Sequence, residues 1–113
     1  MINQSLLAGM ITELRRGTLT LAVLSQLEKP QYGYSLLQSL EGKGIQIEAN
    51  TLYPLMRRLE SQGLLENSWD TSSARPRKYY VLSGAGREIY EALKDEWMKT
   101  CQSINGLLRE TKI

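Results

Sequence analysis

One stretch near the middle of the chain, Glu-Ala-Asn-Thr-Leu-Tyr-Pro-Leu-Met-Arg-Arg-Leu-Glu-Ser-Gln-Gly at 48–63, restricts the fold more than any other. Apolar residues fall at Leu52, Leu55, Met56 and Leu59, the i, i+3, i+4, i+7 spacing of one buried stripe on a helix. At about 100° per residue the opposite face presents Asn50, Pro54, Arg57 and Ser61, flanked by Thr51, Tyr53 and Arg58. That face sets two cations, an amide, hydroxyls and an aromatic against a single acid, Glu60. Short hydrogen-bonding groups at a helix start, followed by arginines, suit phosphates and base edges. An ordinary amphipathic surface helix has the same pattern, so the neighbouring segments have to decide.

Before this helix, residues 5–28 read as helical, with Ser5 as N-cap. Leu7, Met10, Ile11 and Leu14 form one stripe, and Leu19, Ala22, Val23 and Leu27 a second. Gly17 lies between them and is either a kink, a break or a tolerated glycine. Lys29-Pro30-Gln31 ends the segment, because the residue before proline disfavours the α region. Tyr32-Gly33-Tyr34-Ser35 opens a short helix to about Glu41, closed by Gly42-Lys43-Gly44 with a left-handed cap. Ile45-Gln46-Ile47 is extended and could add a very short strand. Pro54 kinks the central helix if that helix starts near Glu48, and costs little if Asn50 is its cap. Gly63 closes it.

After the central helix, residues 64–69 and 77–82 read as two strands joined by the polar turn 70–76, a β-hairpin with a cationic tip and return strand. Ser83 caps a last helix running to about residue 110, about 39 Å at 1.5 Å per residue. Along it Ile89 or Tyr90, Leu93, Trp97, Cys101 (or Met98), Ile104 and Leu108 follow a 3/4 spacing.

The fold class is therefore mainly α with a β-hairpin. It is a winged helix-turn-helix over residues 1–82 plus a long C-terminal dimerisation helix over 83–113. A short helix, a glycine turn and a helix with a polar outer face make a helix-turn-helix, and a basic hairpin directly after it makes a wing. In that arrangement the central helix enters the major groove of double-stranded DNA. Arg75, Arg77 and Lys78 reach phosphates or the minor groove. The last stripe is too long for the small helices to cover, and a second copy of the chain is the simplest partner. Leu7, Met10, Ile11 and Leu14 of the first helix are expected to join Ile89, Tyr90, Leu93, Trp97, Cys101, Ile104 and Leu108 in that homodimer.

Composition narrows the function. The chain has 113 residues, 42% hydrophobic and 23% charged, with a net charge of +2. This balance fits one folded, water-soluble domain. The net charge is too weak to imply nucleic acid, but the positive excess is concentrated between 50 and 78, and the stretch from 79 onward balances. There is no histidine and one cysteine, which removes the commonest general base, any intrachain disulfide and any zinc-type ligand set. No nucleophile has a base beside it and no glycine-rich phosphate loop follows a strand, so neither an enzyme nor a cofactor or metal is expected. No apolar run is long enough for a membrane and no secretory leader is visible, so the chain is expected in the cytoplasm. A winged-helix protein-interaction module remains the alternative to DNA binding, and the five cations between 57 and 78 argue against it.

Tyr-Gly-Tyr at 32–34, Asn-Thr-Leu-Tyr-Pro-Leu-Met-Arg-Arg-Leu-Glu at 50–60, Gly63-Leu64 and Arg77-Lys78-Tyr79-Tyr80-Val81-Leu82-Ser83 with Gly86 resemble the PadR family. These are bacterial winged-helix transcriptional regulators, often repressors. The resemblance runs from about Arg16 to Leu108 and is nearest to the small subfamily with one C-terminal dimerisation helix. Two-fold symmetry of the expected dimer would space two recognition helices as a palindromic operator requires, and the resemblance places Tyr32 and Tyr34 at the start of the helix-turn-helix. It sets Asn50, Thr51, Tyr53 and Arg57 against DNA, and Tyr79 and Tyr80 in the wing strand. For Tyr34, Tyr79 and Tyr80 core packing is an equal alternative. The resemblance further implies a pocket for a planar aromatic effector where Trp97 meets its symmetry mate, near Met98 and Cys101. A plain interface anchor is the other reading of Trp97.

Overall fold

Asn3, rather than Ser5, starts the first helix. The computed structural model describes residues 1–110, and residues 111–113 of the segment expected at 83–113 lie outside the described residues. Asn3 is extended and its side-chain oxygen accepts from the Leu6 N–H at 3.0 Å, leaving Ser5 inside the first turn of α1, Gln4–Arg16. Gly17 is a break. Thr18 Oγ donates to the Arg15 carbonyl at 2.8 Å, and a separate α2 runs Leu19–Ser25.

The extra strand lies at Gln31–Tyr32 (β1), not at 45–47. β1 pairs antiparallel with the return strand of the wing, Gln31 opposite Tyr80 and Tyr32 opposite Tyr79. Ile45-Gln46-Ile47 joins no ladder and places Ile47 in the core. Helix α3, Gly33–Gly42, contributes Leu36 and Leu40 to that core. Gly44, at φ +86°, provides the left-handed exit that side chains disfavour.

Helix α4, Ala49–Ser61, is the central helix. The N–H groups of Thr51 and Leu52 both donate to the Glu48 carbonyl at 2.9 Å. The helix thus begins before Asn50, and Pro54 lies in its second turn, where it leaves the Asn50 carbonyl without its i+4 donor. Strands β2, Leu65–Asp70, and β3, Arg77–Leu82, form the wing in the register Leu65–Leu82 through Asp70–Arg77. The sheet order is β1-β3-β2.

Leu52, Leu55, Met56 and Leu59 of α4 are all buried, with Val23, Leu24, Leu27, Leu36, Leu40, Ile47, Leu65 and Leu82 around them. Helix α5, Gly84–Glu110, starts on this core through Ser83. The Ser83 hydroxyl accepts from Gly86 N–H at 2.9 Å and donates to the Gly63 carbonyl at 2.7 Å. Past that turn α5 runs beside α2 as far as Trp97, and every residue of α1 is exposed or half-exposed. The molecule measures 61 × 32 × 22 Å with a radius of gyration of 17.0 Å, against about 13 Å for a compact domain of this size.

Candidate nucleic-acid interface

The stripe that buries α4 fixes what its other face shows. Asn50, Thr51, Arg57, Arg58 and Ser61 are exposed together along it. Ser61 Oγ donates to the Arg58 carbonyl at 2.8 Å, and among the described residues neither guanidinium group has a hydrogen-bond or ion-pair partner. Tyr53 is half-buried against the core. Its ring lies so near Gly33 that a Cβ there would sit 2.6 Å from the ring. Tyr53 therefore locks the start of α3 to α4, and Gly33 is the residue that permits it. An open groove of about 670 Å³ between α1 and the start of α4 brings Arg15, Arg16 and Glu48 beside Thr51.

The tyrosines divide. Tyr34 stands on the outside of α3, with its hydroxyl accepting from Gln38 Nε2 at 3.1 Å. Tyr32, Tyr79 and Tyr80 are half-buried in the sheet. The Tyr32 and Tyr79 rings meet edge to face at 5.6 Å, and the Arg77 guanidinium lies 4.8 Å over the Tyr32 ring. This stacking holds Arg77 against the sheet at the turn end of β3. Arg75 lies exposed in the turn, whose shape is set by Ser72 N–H donating to Asp70 at 2.9 Å and Ser73 Oγ donating to the Arg75 carbonyl at 2.9 Å. Hydrogen bonds from the Ser72 hydroxyl and N–H, aided by the charge of Arg77, keep the Asp70 carboxyl below its usual range.

Lys78 differs from the other cations. Its ammonium donates to Glu60 of α4 at 3.2 Å and lies 5.0 Å over the Tyr80 ring. Desolvation works against the charge, but the bonds to Glu60 and Tyr80 outweigh it and raise the Lys78 pKa. Asn67 of β2 donates to the other oxygen of Glu60. Lys78 is thus paired within the protein while still partly exposed, whereas the sequence offered it as a phosphate or minor-groove candidate. Glu60, which stood out only as the late acid of the helix, is the clamp between helix and wing. Sequence reasoning had no signal for that pairing, which spans 18 residues. It also passed over Gly33, Asn67 and Trp69, although the alternation from Leu65 places 65, 67 and 69 on one face.

On α5, Ile89, Leu93, Trp97, Met98, Ile104 and Leu108 are exposed, while Cys101 is half-buried. Tyr90 departs from the expected exposed stripe. It packs against its own core, with Lys94 Nζ 5.3 Å over its ring. Trp97 separates two shallow grooves against α2, of about 290 and 360 Å³, both reaching Thr18 and Leu21. Met98 and Cys101 line neither, so within one chain the expected trio does not form a pocket and only Trp97 takes part. Among the described residues no cluster of His, Cys, Asp or Glu could hold a metal ion, and no helix is long and apolar enough to cross a membrane.

Comparison with known proteins agrees with this geometry. The transcriptional regulator PadR-like family matches residues 20–92. A PadR family transcriptional regulator from Eggerthella lenta is 50% identical and superposes with a TM-score of 0.87 over 93% of this chain and 94% of that one. A PadR-like transcriptional regulator from Bacillus cereus is 29% identical, with a TM-score of 0.77 over 85% and 96% of the two chains. A transcriptional regulator of Mycobacterium tuberculosis is 33% identical over 76 residues, 66% of this chain and 71% of that protein. With the recognition helix, the wing and most of the chain inside the match, the protein belongs to the PadR-like family of winged-helix, DNA-binding transcriptional regulators and is not an enzyme.

Proposed function

We propose that the protein is a cytoplasmic homodimeric repressor, which binds a palindromic operator and is released by a small planar aromatic effector. Residues 1–82 would carry DNA recognition and the helix from 83 onward the dimer contact. The observation that carries the dimer is the uncovered apolar face of α5. Leu93, Trp97, Ile104 and Leu108 are 36%, 42%, 47% and 60% exposed along one helix, and Leu7, Met10 and Leu14 are open on α1. Apolar surface on this scale in an elongated chain favours burial against a second copy. Two-fold symmetry would then set two α4 helices about one DNA turn apart. The sign of regulation rests on the family resemblance alone.

The grooves flanking Trp97 support the effector reading, because an indole wall beside apolar Leu21 and Leu93 suits a flat ring. A ligand wedged there would change the angle between the paired α5 helices and so the half-site spacing. The test combines sedimentation with binding of a duplex from upstream of the protein's own gene across a salt series. A dimer with selective, salt-steep binding is expected, and the double variant Leu93→Asp, Ile104→Asp should be monomeric and lose most operator affinity. A wild-type monomer that binds as tightly as its variant rules the dimer out. Equal operator affinity with and without a compound that quenches Trp97 rules out release by that compound.

A further inference from the structure

Trp69 lies outside the core of its own chain. It is 60% exposed on the wing strand β2, and its indole N–H has no partner among the described residues. Its direction is fixed by strand alternation. Leu65, on the same face, is buried, and Asn67, the next on that face, bonds to Glu60 of α4. Trp69 therefore emerges on the side of the wing that looks toward the recognition helix, one residue pair nearer the tip. Its cross-strand partner is Lys78.

That position has a specific meaning in a winged helix. With α4 in the major groove and the wing tip at the minor groove, the phosphodiester strand dividing the grooves must cross the saddle between them. The other polar groups on this face of the wing are already engaged. Asn67 and Lys78 are both held by Glu60, and Lys78 covers the Tyr80 ring. Trp69 is the group left to meet the strand, with exposed Arg75 in the turn beyond it to attract the anionic backbone.

We propose that Trp69 holds the DNA strand that runs between recognition helix and wing. The indole ring packs on a deoxyribose and Nε1–H donates to a phosphate oxygen. The proposal rests on DNA binding by this chain and adds a neutral contact to its cationic ones. A neutral contact has a signature that cations lack. It changes affinity equally at every ionic strength, because it displaces no counterion.

The test uses the full chain and a labelled mixed-sequence duplex over a salt series from low ionic strength. Trp69→Ala should weaken binding by at least about tenfold with the salt slope unchanged, since a hydrogen bond to a charged group and the ring contact are lost together. Trp69→Phe keeps the ring and the wing fold, so it decides the matter if the alanine variant unfolds early. It should lose at least about threefold, the part that belongs to the hydrogen bond, at the same slope. It should also lose the fluorescence change that DNA causes in the wild type. Affinity of both variants within about twofold of wild type overturns the proposal while DNA binding itself stands. A flatter slope in Trp69→Phe overturns it too, since the residue would then act through the cations. So would a change in self-association with unchanged DNA affinity, which would make the indole a protein contact. If the wild type binds no duplex even at the lowest salt, DNA binding fails first and the proposal with it.

Discussion

Glu60 of the recognition helix accepts from Lys78 of the wing at 3.2 Å while its second oxygen takes Asn67. One carboxylate therefore ties α4 to both strands of the wing and partly neutralises a cation of the return strand. Glu60→Gln keeps an acceptor for Asn67 and releases Lys78. Stability should fall by no more than about 1 kcal/mol, because the pair is partly exposed. DNA binding should gain about one phosphate contact, read as a steeper slope of log affinity against log salt. An unchanged slope would show that Lys78 stays out of reach of DNA when freed.

Arg57 is free on α4, whereas Arg77 is stacked on Tyr32. Arg57→Ala should leave thermal stability within about 0.5 kcal/mol of wild type and flatten the salt slope by about one. Arg77→Ala should flatten the slope similarly and also cost about 0.5–1 kcal/mol in unfolding, from the lost cation–π contact. Paired denaturation and salt-series binding curves separate the two roles.

Gly86 in the first turn of α5 faces the Leu64 carbonyl so closely that a Cβ would lie 2.0 Å from that oxygen. Backbone cannot swing aside as a side chain can. Gly86→Ala should therefore cost at least about 3 kcal/mol, the upper part of the overpacking range. Gly84→Ala, two residues earlier, meets nothing within 4 Å and should be tolerated. Chemical denaturation of the two variants side by side makes the comparison, and equal midpoints would contradict the contact.

Asp70 is fully exposed, and its lowered pKa comes from Ser72 first and Arg77 after it. A carboxyl depressed in the folded state adds order above its ordinary value, and that order is lost as pH falls through the lowered folded value. The turn of the wing should accordingly stay ordered down through the usual carboxylate range and loosen only below it. Exchange of the Ser72 amide against pH reads this directly. Asp70→Asn should remove the transition and leave the global unfolding midpoint nearly unchanged.

The sequence by itself determined the elements and their order, because each depends on local chemistry. The stripe Leu52, Leu55, Met56, Leu59 dictates a helix and fully predicts its buried face. Ser83 marks a helix start and Gly44 and Gly63 two ends, since capping and left-handed backbone are properties of single residues. Asn3 displaced Ser5 as the first cap by adopting the extended backbone a cap needs, and the break at Gly17 was one of three local options that sequence left open. What the tertiary structure decided involves partners distant in the chain. β1 forms because Tyr32 meets the free edge of β3 at Tyr79, and Tyr90 turns inward because α2 and Ile45 lie beneath it. Lys78 is paired rather than free because Glu60 stands opposite it. A side chain's charge is written in the sequence, but whether that charge is free depends on which groups folding brings within a few ångströms, and only the packed chain fixes that distance.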